Sequence, residues 1–201
     1  MNRELVYNEI ARIIEPGARV LDLGCGDGSL LKMLMDRKDI YGLGIDFSTD
    51  QVLSCIKRGV SVIQEDIDEG LGKYKDESYD YVILSETLQT VKRPDFIISQ
   101  IVRIGKKAIV AFPNYANWKL RTKFFLTGRM PKSDALPYEW YNTPNIHLLT
   151  IKDFKVFCKQ SDIKILNETY IVGDRKRNKY LLGNDNFFAE EAIFTIKKGW
   201  L

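Results

Sequence analysis

An α/β fold, a mostly parallel twisted sheet with helices on both faces, is predicted by three observations. Short apolar runs alternate with stretches whose apolar residues recur every three or four positions. The runs are apolar throughout rather than alternating, as in strands covered on both faces. The first of them ends in an acid and three closely spaced glycines, directly before a helical pattern.

The elements follow in order. Val6, Ile10, Ile13 and Ile14 form one face of an N-terminal helix, and Pro16-Gly17 turns the chain. Val20 to Leu23 reads as the first strand, Gly24 to Gly28 as a tight turn, and Leu30, Leu31, Leu34 and Met35 as the inward side of a helix. Ile40 to Ile45 is a second strand ending in Asp46. Ser48-x-x-Gln51 predicts a capping box for a helix carrying Val52, Leu53 and Ile56 inward, with Lys57 and Arg58 at its C-terminus and Gly59 closing it. Val60 to Ile63 leads into Gln64-Glu65-Asp66-Ile67, and Tyr81 to Leu84 is a fourth strand. Pro94 starts a helix with Ile97, Ile98 and Ile101 on one face, which stops near Gly105, and Ala108 to Phe112 is a fifth strand. Thr150-x-x-Asp153 opens a further helix with Phe154, Phe157 and Cys158 inward. Two strand-like runs, Ile163 to Val172 and Ala192 to Ile196, flank a polar, hairpin-like connection.

The pattern breaks at about 113–150, which holds four of the six prolines and two of the three tryptophans. With Trp118, Phe124, Phe125, Tyr138, Trp140 and Tyr141 it is too aromatic for disorder. It reads as an insertion into a single domain spanning 1–201, forming either a lid over the strand ends or a passive cap on a sheet edge.

Net charge is +3, too small to imply nucleic acid or an anionic membrane as partner. The basic run Arg175-Lys176-Arg177 with Lys179 reads as a solvated loop. Cys25, Cys55 and Cys158 are far apart in sequence and give neither a disulfide framework nor a zinc site. One histidine, His147, leaves no histidine-rich metal site, so no metal is expected. No apolar run approaches the length of a membrane span, and the N-terminus is not a signal peptide, which predicts a cytoplasmic protein.

The glycine turn carries the chemistry. Glycine lets backbone approach a ligand, and the adjoining helix N-terminus offers free N–H groups and partial positive charge. Asp46, 20 residues beyond Gly26, suits ribose hydroxyls. Asp66, after the third strand, can reach the exocyclic amine of an adenine.

This pattern, acid-x-Gly-x-Gly-x-Gly over Asp22 to Gly28, resembles the class I S-adenosylmethionine-dependent methyltransferases. An NAD site more often places its third glycine later and lacks the acid. Val62 to Leu71, Tyr79 to Gln89, Phe112-Pro113-Asn114 with Trp118, Gly128-Arg129-Met130-Pro131 and Leu136 to His147 narrow the resemblance to the MetW family of methionine biosynthesis. It covers roughly residues 1–170. One departure is Glu86, where the family pattern carries an uncharged glutamine. The resemblance implies a Rossmann-like methyltransferase fold with an antiparallel final strand. It implies S-adenosylmethionine or S-adenosylhomocysteine held by Asp22, Gly24, Cys25, Gly26, Asp46, Phe47, Asp66, Ile67 and Ser85. It also implies a place beside homoserine O-acyltransferase as partner, and leaves open whether the protein is itself an enzyme.

If it is one, methyl transfer is an in-line displacement in which the protein mainly orients the cofactor. His147 is a candidate base, or a tether between the insertion and the helix near Ile151. Glu86, just past the fourth strand, either binds an ammonium group or faces solvent. The Asn/Asp-Pro-Pro-aromatic motif of base-methylating enzymes is absent there. Tyr138, Trp140 and Tyr141 can wall an acceptor pocket or dock a protein.

Overall fold

The computed structural model describes residues 3–133, 137–173, 175–178 and 184–199, with backbone alone at 175–178. Leu136, Lys179 and the side chains of Arg175 to Arg177, singled out above, lie outside the described residues.

Helix α1 (Arg3–Ile13) precedes β1 (Arg19–Leu23), α2 (Ser29–Lys38), β2 (Tyr41–Asp46), α3 (Thr49–Lys57) and β3 (Val62–Gln64). Then come β4 (Tyr79–Ser85), α4 (Pro94–Ile104), β5 (Gly105–Pro113), α5 (Trp118–Thr127) and α6 (Ile151–Gln160). The remaining elements are β6 (Ile163–Val172), β7 (Arg175–Asn178), α7 (Asp185–Phe188) and β8 (Glu191–Lys198). The strands form one sheet in the order β3-β2-β1-β4-β5-β8-β6-β7. The first five are parallel; β8 runs antiparallel to both β5 and β6.

Alternation along each strand feeds two separate cores. Leu21, Leu23, Val82, Leu84, Val110 and Phe112 face α4 and α6, meeting Ile97, Ile98, Ile101, Phe154 and Cys158. Val20, Tyr81, Ile83, Ile109 and Ala111 face α1 and α2, meeting Val6, Ile10, Leu30, Leu31 and Leu34. That is why the central strands read as unbroken apolar runs. The strand order reverses direction between β1 and β4, and open α/β sheets place ligands at the carboxyl ends of strands at such a point.

Three local expectations need correction. Ser48 flanks α3 at the N-cap position, but its side chain makes no capping hydrogen bond; the backbone N–H of Ser48 donates instead to Asp46 Oδ1 at 2.9 Å. Leu53 and Ile56 face outward, and α3 buries Cys55 between them. Within the insertion, α5 was not readable as a helix because only Leu120 is buried along it, while Phe124, Phe125 and Leu126 are exposed and erase the periodic stripe. Its ends are nonetheless regular: Asn117 accepts from Lys119 N at 2.9 Å, and Gly128 closes it at φ +62°. Thr150 caps α6 through Asp153 N as its sequence implies.

The exit from β5 is fastened by Asn114, which is 1% exposed. Its Nδ2 donates to the carbonyls of Asn186 (3.0 Å) and Ala189 (2.9 Å), and its Oδ1 accepts from Ala116 N (3.1 Å). A dry amide with every group paired joins the insertion to the approach to β8. Asn114→Ala would remove the donor to Asn186 O and the acceptor of Ala116 N, while Ala189 O keeps Asn117 Nδ2 at 3.1 Å, so urea denaturation should show a loss of about 2–3 kcal/mol. Asn114→Asp should lose a similar amount, because a carboxylate cannot donate to either carbonyl.

Candidate functional site

The corner after β1 is built by backbone. Gly24 N and Cys25 N both donate to Ile45 O, at 2.8 and 3.0 Å, which folds the turn back onto β2. Gly24 takes φ +70° and Gly26 φ +55°, values that glycine adopts without strain. A Cβ on Gly24 would also run into the Thr87 side chain, so the turn and the segment after β4 are in close approach. Gly26 N donates to Asp46 Oδ2 at 2.9 Å. With Ser48 N on Oδ1, the Asp46 carboxylate is held by two amides from two different turns. Each oxygen keeps lone pairs for a further donor, such as a ribose hydroxyl.

Beside this corner lies a cleft of about 410 Å³ at the ends of β1, β2 and β4. Gly24, Asp46, Phe47, Asp66 and Ile67, all named from sequence, line it together. Glu65, Asp68, Thr87, Thr90, Val91 and Lys92 also line it and escaped the sequence reading. Their residue types carry no signal; only position does, since all follow β3 or β4. Asp68 accepts from Lys92 N at 2.9 Å, tying those two segments together. Asp66 spends Oδ1 on Asp68 N at 2.9 Å and keeps Oδ2 for a donor on a ligand. Phe47 is exposed at the mouth, where a ring can cover a flat ligand. A larger recess, about 580 Å³, runs between α4 and α6 and touches none of these residues.

The remaining predicted residues sit around the cleft rather than on it. Cys25 turns its side chain inward, with Sγ 3.8 Å from Cys55 Sγ, so backbone alone is left for a ligand. Ser85 ends β4, and its carbonyl accepts from Thr87 Oγ1 at 3.0 Å. Asp22 lies beneath the turn, 2% exposed, and burial, then the Asp46 charge, push its carboxyl up to about 7.

A second acidic group stands at the end of β4. Glu86 takes φ +58°, an outlier for a side-chain-bearing residue, and its Oε2 lies 3.9 Å from Arg3 Nε of α1. Burial raises its pKa against the pull of Arg3. Across from it, burial and then Glu86 push Glu191 of β8 up to about 7. Tyr7 of α1 is driven up to about 12, first by burial and then by Asp22. His147 meets the segment after β4: its backbone N–H donates to Gln89 O at 3.1 Å, while its buried Nε2 has no partner among the described residues. Its backbone is thus tied to the segment after β4, not to the start of α6. Tyr138, Trp140 and Tyr141 are elsewhere. Tyr138 and Trp140 border a small recess of about 60 Å³ with Tyr115, Met130 and Pro131, and Tyr141 meets Trp140 edge-on at 5.7 Å.

Comparison with known proteins bears on this geometry. The methionine biosynthesis protein MetW family profile matches residues 5–196. The chain belongs to the MetW family. It is 33% identical over 198 residues to the bifunctional methionine biosynthesis protein MetXA/MetW of Rhodopirellula baltica, covering 94% of this chain but 32% of that protein. The chain thus spans about a third of that relative's length. It is 26% identical over 179 residues to a ubiquinone biosynthesis O-methyltransferase of Hahella chejuensis, covering 85% of this chain and 73% of the relative. Among solved structures, magnesium protoporphyrin IX methyltransferase from Synechocystis, crystallised with S-adenosylhomocysteine, superposes with TM-score 0.70 at 16% identity, over 98% of this chain and 84% of that one. That likeness establishes the Rossmann-like methyltransferase fold. Among the described residues no helix is long and apolar enough to cross a membrane, and no group of three His, Cys, Asp or Glu could hold a metal ion.

The buried acid makes a signed prediction. A carboxyl whose folded pKa is raised favours the fold below its unfolded value near 4, and that contribution disappears as pH climbs to about 7. Asp22→Asn should therefore stabilise the ligand-free protein at pH 8 by about 1–3 kcal/mol and change little at pH 4. Urea titrations at the two pH values measure it; equal stability at pH 8 would mean that Asp22 ionises there without cost.

Proposed function

We propose that the protein binds S-adenosylmethionine, or its product S-adenosylhomocysteine, in the cleft at the ends of β1, β2 and β4, and acts in methionine biosynthesis beside homoserine O-acyltransferase. The observation that carries the cofactor is the Asp46 carboxylate, fixed by Gly26 N and Ser48 N with lone pairs still open toward the cleft. The adenosine half would lie against Phe47, with Asp46 on the ribose and Asp66 and Ile67 at the adenine edge. The methionyl half would reach over Gly24, Cys25 and Gly26 toward Asp22 and Ser85, where a buried acid is ready for an ammonium group. The cofactor would supply an activated methyl group; the chain orients it and excludes water.

Partnership is supported by the Rhodopirellula relative, whose name joins MetXA and MetW in one bifunctional protein. The docking face we assign is the segment at about 113–150, an insertion into a single methyltransferase-like domain. Its Trp140 and Tyr141 are 76% and 70% exposed, with exposed Phe125, Leu126 and Met130 on the same segment. Apolar surface of this kind, rich in Trp and Tyr, is typical of interfaces. Adenosylmethionine is made from methionine, so a partner that binds it would let the end product act on an early step.

A second reading is methyl transfer to a small molecule. It is favoured by the relatives named ubiquinone biosynthesis O-methyltransferase and by two acids at the strand ends, Glu86 after β4 and the buried Glu191 of β8, with the His147 backbone tied to Gln89 of the same turn segment. In that reading Glu86 or His147 serves an acceptor.

Calorimetry tests the cofactor. Asp46→Ala should weaken adenosylmethionine binding by about 10- to 100-fold, the worth of one or two charge-assisted hydrogen bonds. Undiminished binding, or tight NAD binding by the wild type, would overturn the assignment. Pull-down tests the docking face. Tyr138→Ala and Trp140→Ala should each weaken the acyltransferase complex by ~2 kcal/mol or more while cofactor affinity stays unchanged. Normal complex formation with lost methyl transfer would favour the second reading.

A further inference from the structure

Beneath the glycine turn two thiols are packed against each other. Cys25 belongs to the turn and Cys55 to α3, and their Sγ atoms are 3.8 Å apart in the same core. They are 8% and 0% exposed. The sulfurs occupy space that two glycines leave empty. A Cβ on Gly28 would stand 2.9 Å from Cys55 Sγ, and one on Gly44 would stand 2.5 Å from Cys25 Sγ. Cys55 Sγ also donates to Gly26 O at 3.1 Å, so α3 grips the residue whose N–H donates to Asp46. Cys158 lies in the other core, on the far face of the sheet. A disulfide holds its sulfurs at about 2.05 Å. The two sulfurs already touch, so the bond needs a shift of about 2 Å, shared between a turn and a short helix.

We propose that Cys25 and Cys55 are a redox site, closed to a disulfide by a peroxide, and that the bond loosens the glycine corner. One thiol gives up its proton and its sulfur attacks a peroxide oxygen. The O–O bond breaks, a sulfenic acid forms, and the released hydroxide takes that proton as water. The second sulfur then attacks the sulfenic sulfur. The S–S bond forms as the S–OH bond breaks, and the hydroxyl leaves as water with the second thiol's proton. In sum, two thiols and one peroxide give one disulfide and two waters, with two electrons passing from sulfur to oxygen. Burial pushes both thiols up, so neither is a thiolate while the corner is closed, and oxidation proceeds slowly, through an opened turn. Once the bond exists, neither sulfur carries a hydrogen. The donation from Cys55 to Gly26 O is lost, and α3 and the turn are drawn together at the residue that Asp46 holds. An effect on cofactor affinity rests on the cofactor reading above; the bond and the loosened corner do not.

The test treats the reduced, full-length chain with hydrogen peroxide and then alkylates it in denaturant. One thiol, Cys158, should remain to be alkylated, the intact mass should fall by two hydrogens, and peptide mapping should join Cys25 to Cys55. Dithiothreitol should restore all three thiols. Hydrogen exchange at the Gly26 amide, read by NMR without any ligand, should be roughly tenfold faster or more in the oxidised protein. S-adenosylhomocysteine should bind the oxidised protein roughly tenfold or more weakly, and regain its affinity on reduction. Cys55→Ser removes one partner, so peroxide should change neither its Gly26 exchange nor its affinity. Three outcomes would overturn the proposal: no linkage between Cys25 and Cys55, a linkage that leaves Gly26 exchange unchanged, or the same response to peroxide in Cys55→Ser. Failure of the reduced protein to bind S-adenosylhomocysteine would instead sink the cofactor reading, since the linkage and the amide exchange are measured without it.

Discussion

The corner depends on one carboxylate. Asp46 is 7% exposed and accepts from the turn after β1 and from the turn after β2. Two loops that would otherwise move independently are pinned to one rigid group at the end of a central strand. The glycines gain a defined conformation, and α3 starts where Ser48 N is already engaged. Pre-organisation of this kind lowers the ordering cost of binding. It also explains why no side-chain cap forms at Ser48: the strand-end acid has taken over the fastening of that turn.

Much of this corner was legible in sequence because it is local. β1, the glycine turn and α2 are contiguous, and Asp46 and Asp66 each follow an apolar run directly. What could not be read comes from distant chain segments meeting. Thr87 becomes part of the cleft only because β4 lies beside β1. Glu191, more than a hundred residues after Glu86, feels its charge only because β8 enters the sheet next to β5. Helix α5 was invisible for a different reason: it presents too little inward surface to leave a periodic trace. In α3 the buried residue is Cys55, whose Sγ donates to Gly26 O at 3.1 Å, while Leu53 and Ile56, the apolar residues named from sequence, face outward.

Membership in the MetW family fits a division of labour along the chain. The first five strands and their turns build the glycine corner and the cleft around Asp46. The aromatic insertion after β5 carries surface that this corner does not use. Asn114, at the exit of β5, fastens the start of that segment to the approach to β8.

The strand order has a kinetic consequence. β6 touches the main sheet only through β8, which follows it by some twenty residues and slots between β5 and β6. During synthesis β5 must wait with an open edge while the insertion, α6 and β6 emerge, and none of them can complete the sheet. The parallel half, with its glycine corner, can assemble early from neighbouring segments. The Asn114 fastening and the Glu86–Glu191 pair form only when β8 arrives. Long-range pairing of this sort slows folding and leaves an unpaired strand exposed to other chains. Ligand binding at the glycine corner would therefore report assembly of the parallel half, and not the arrival of β8.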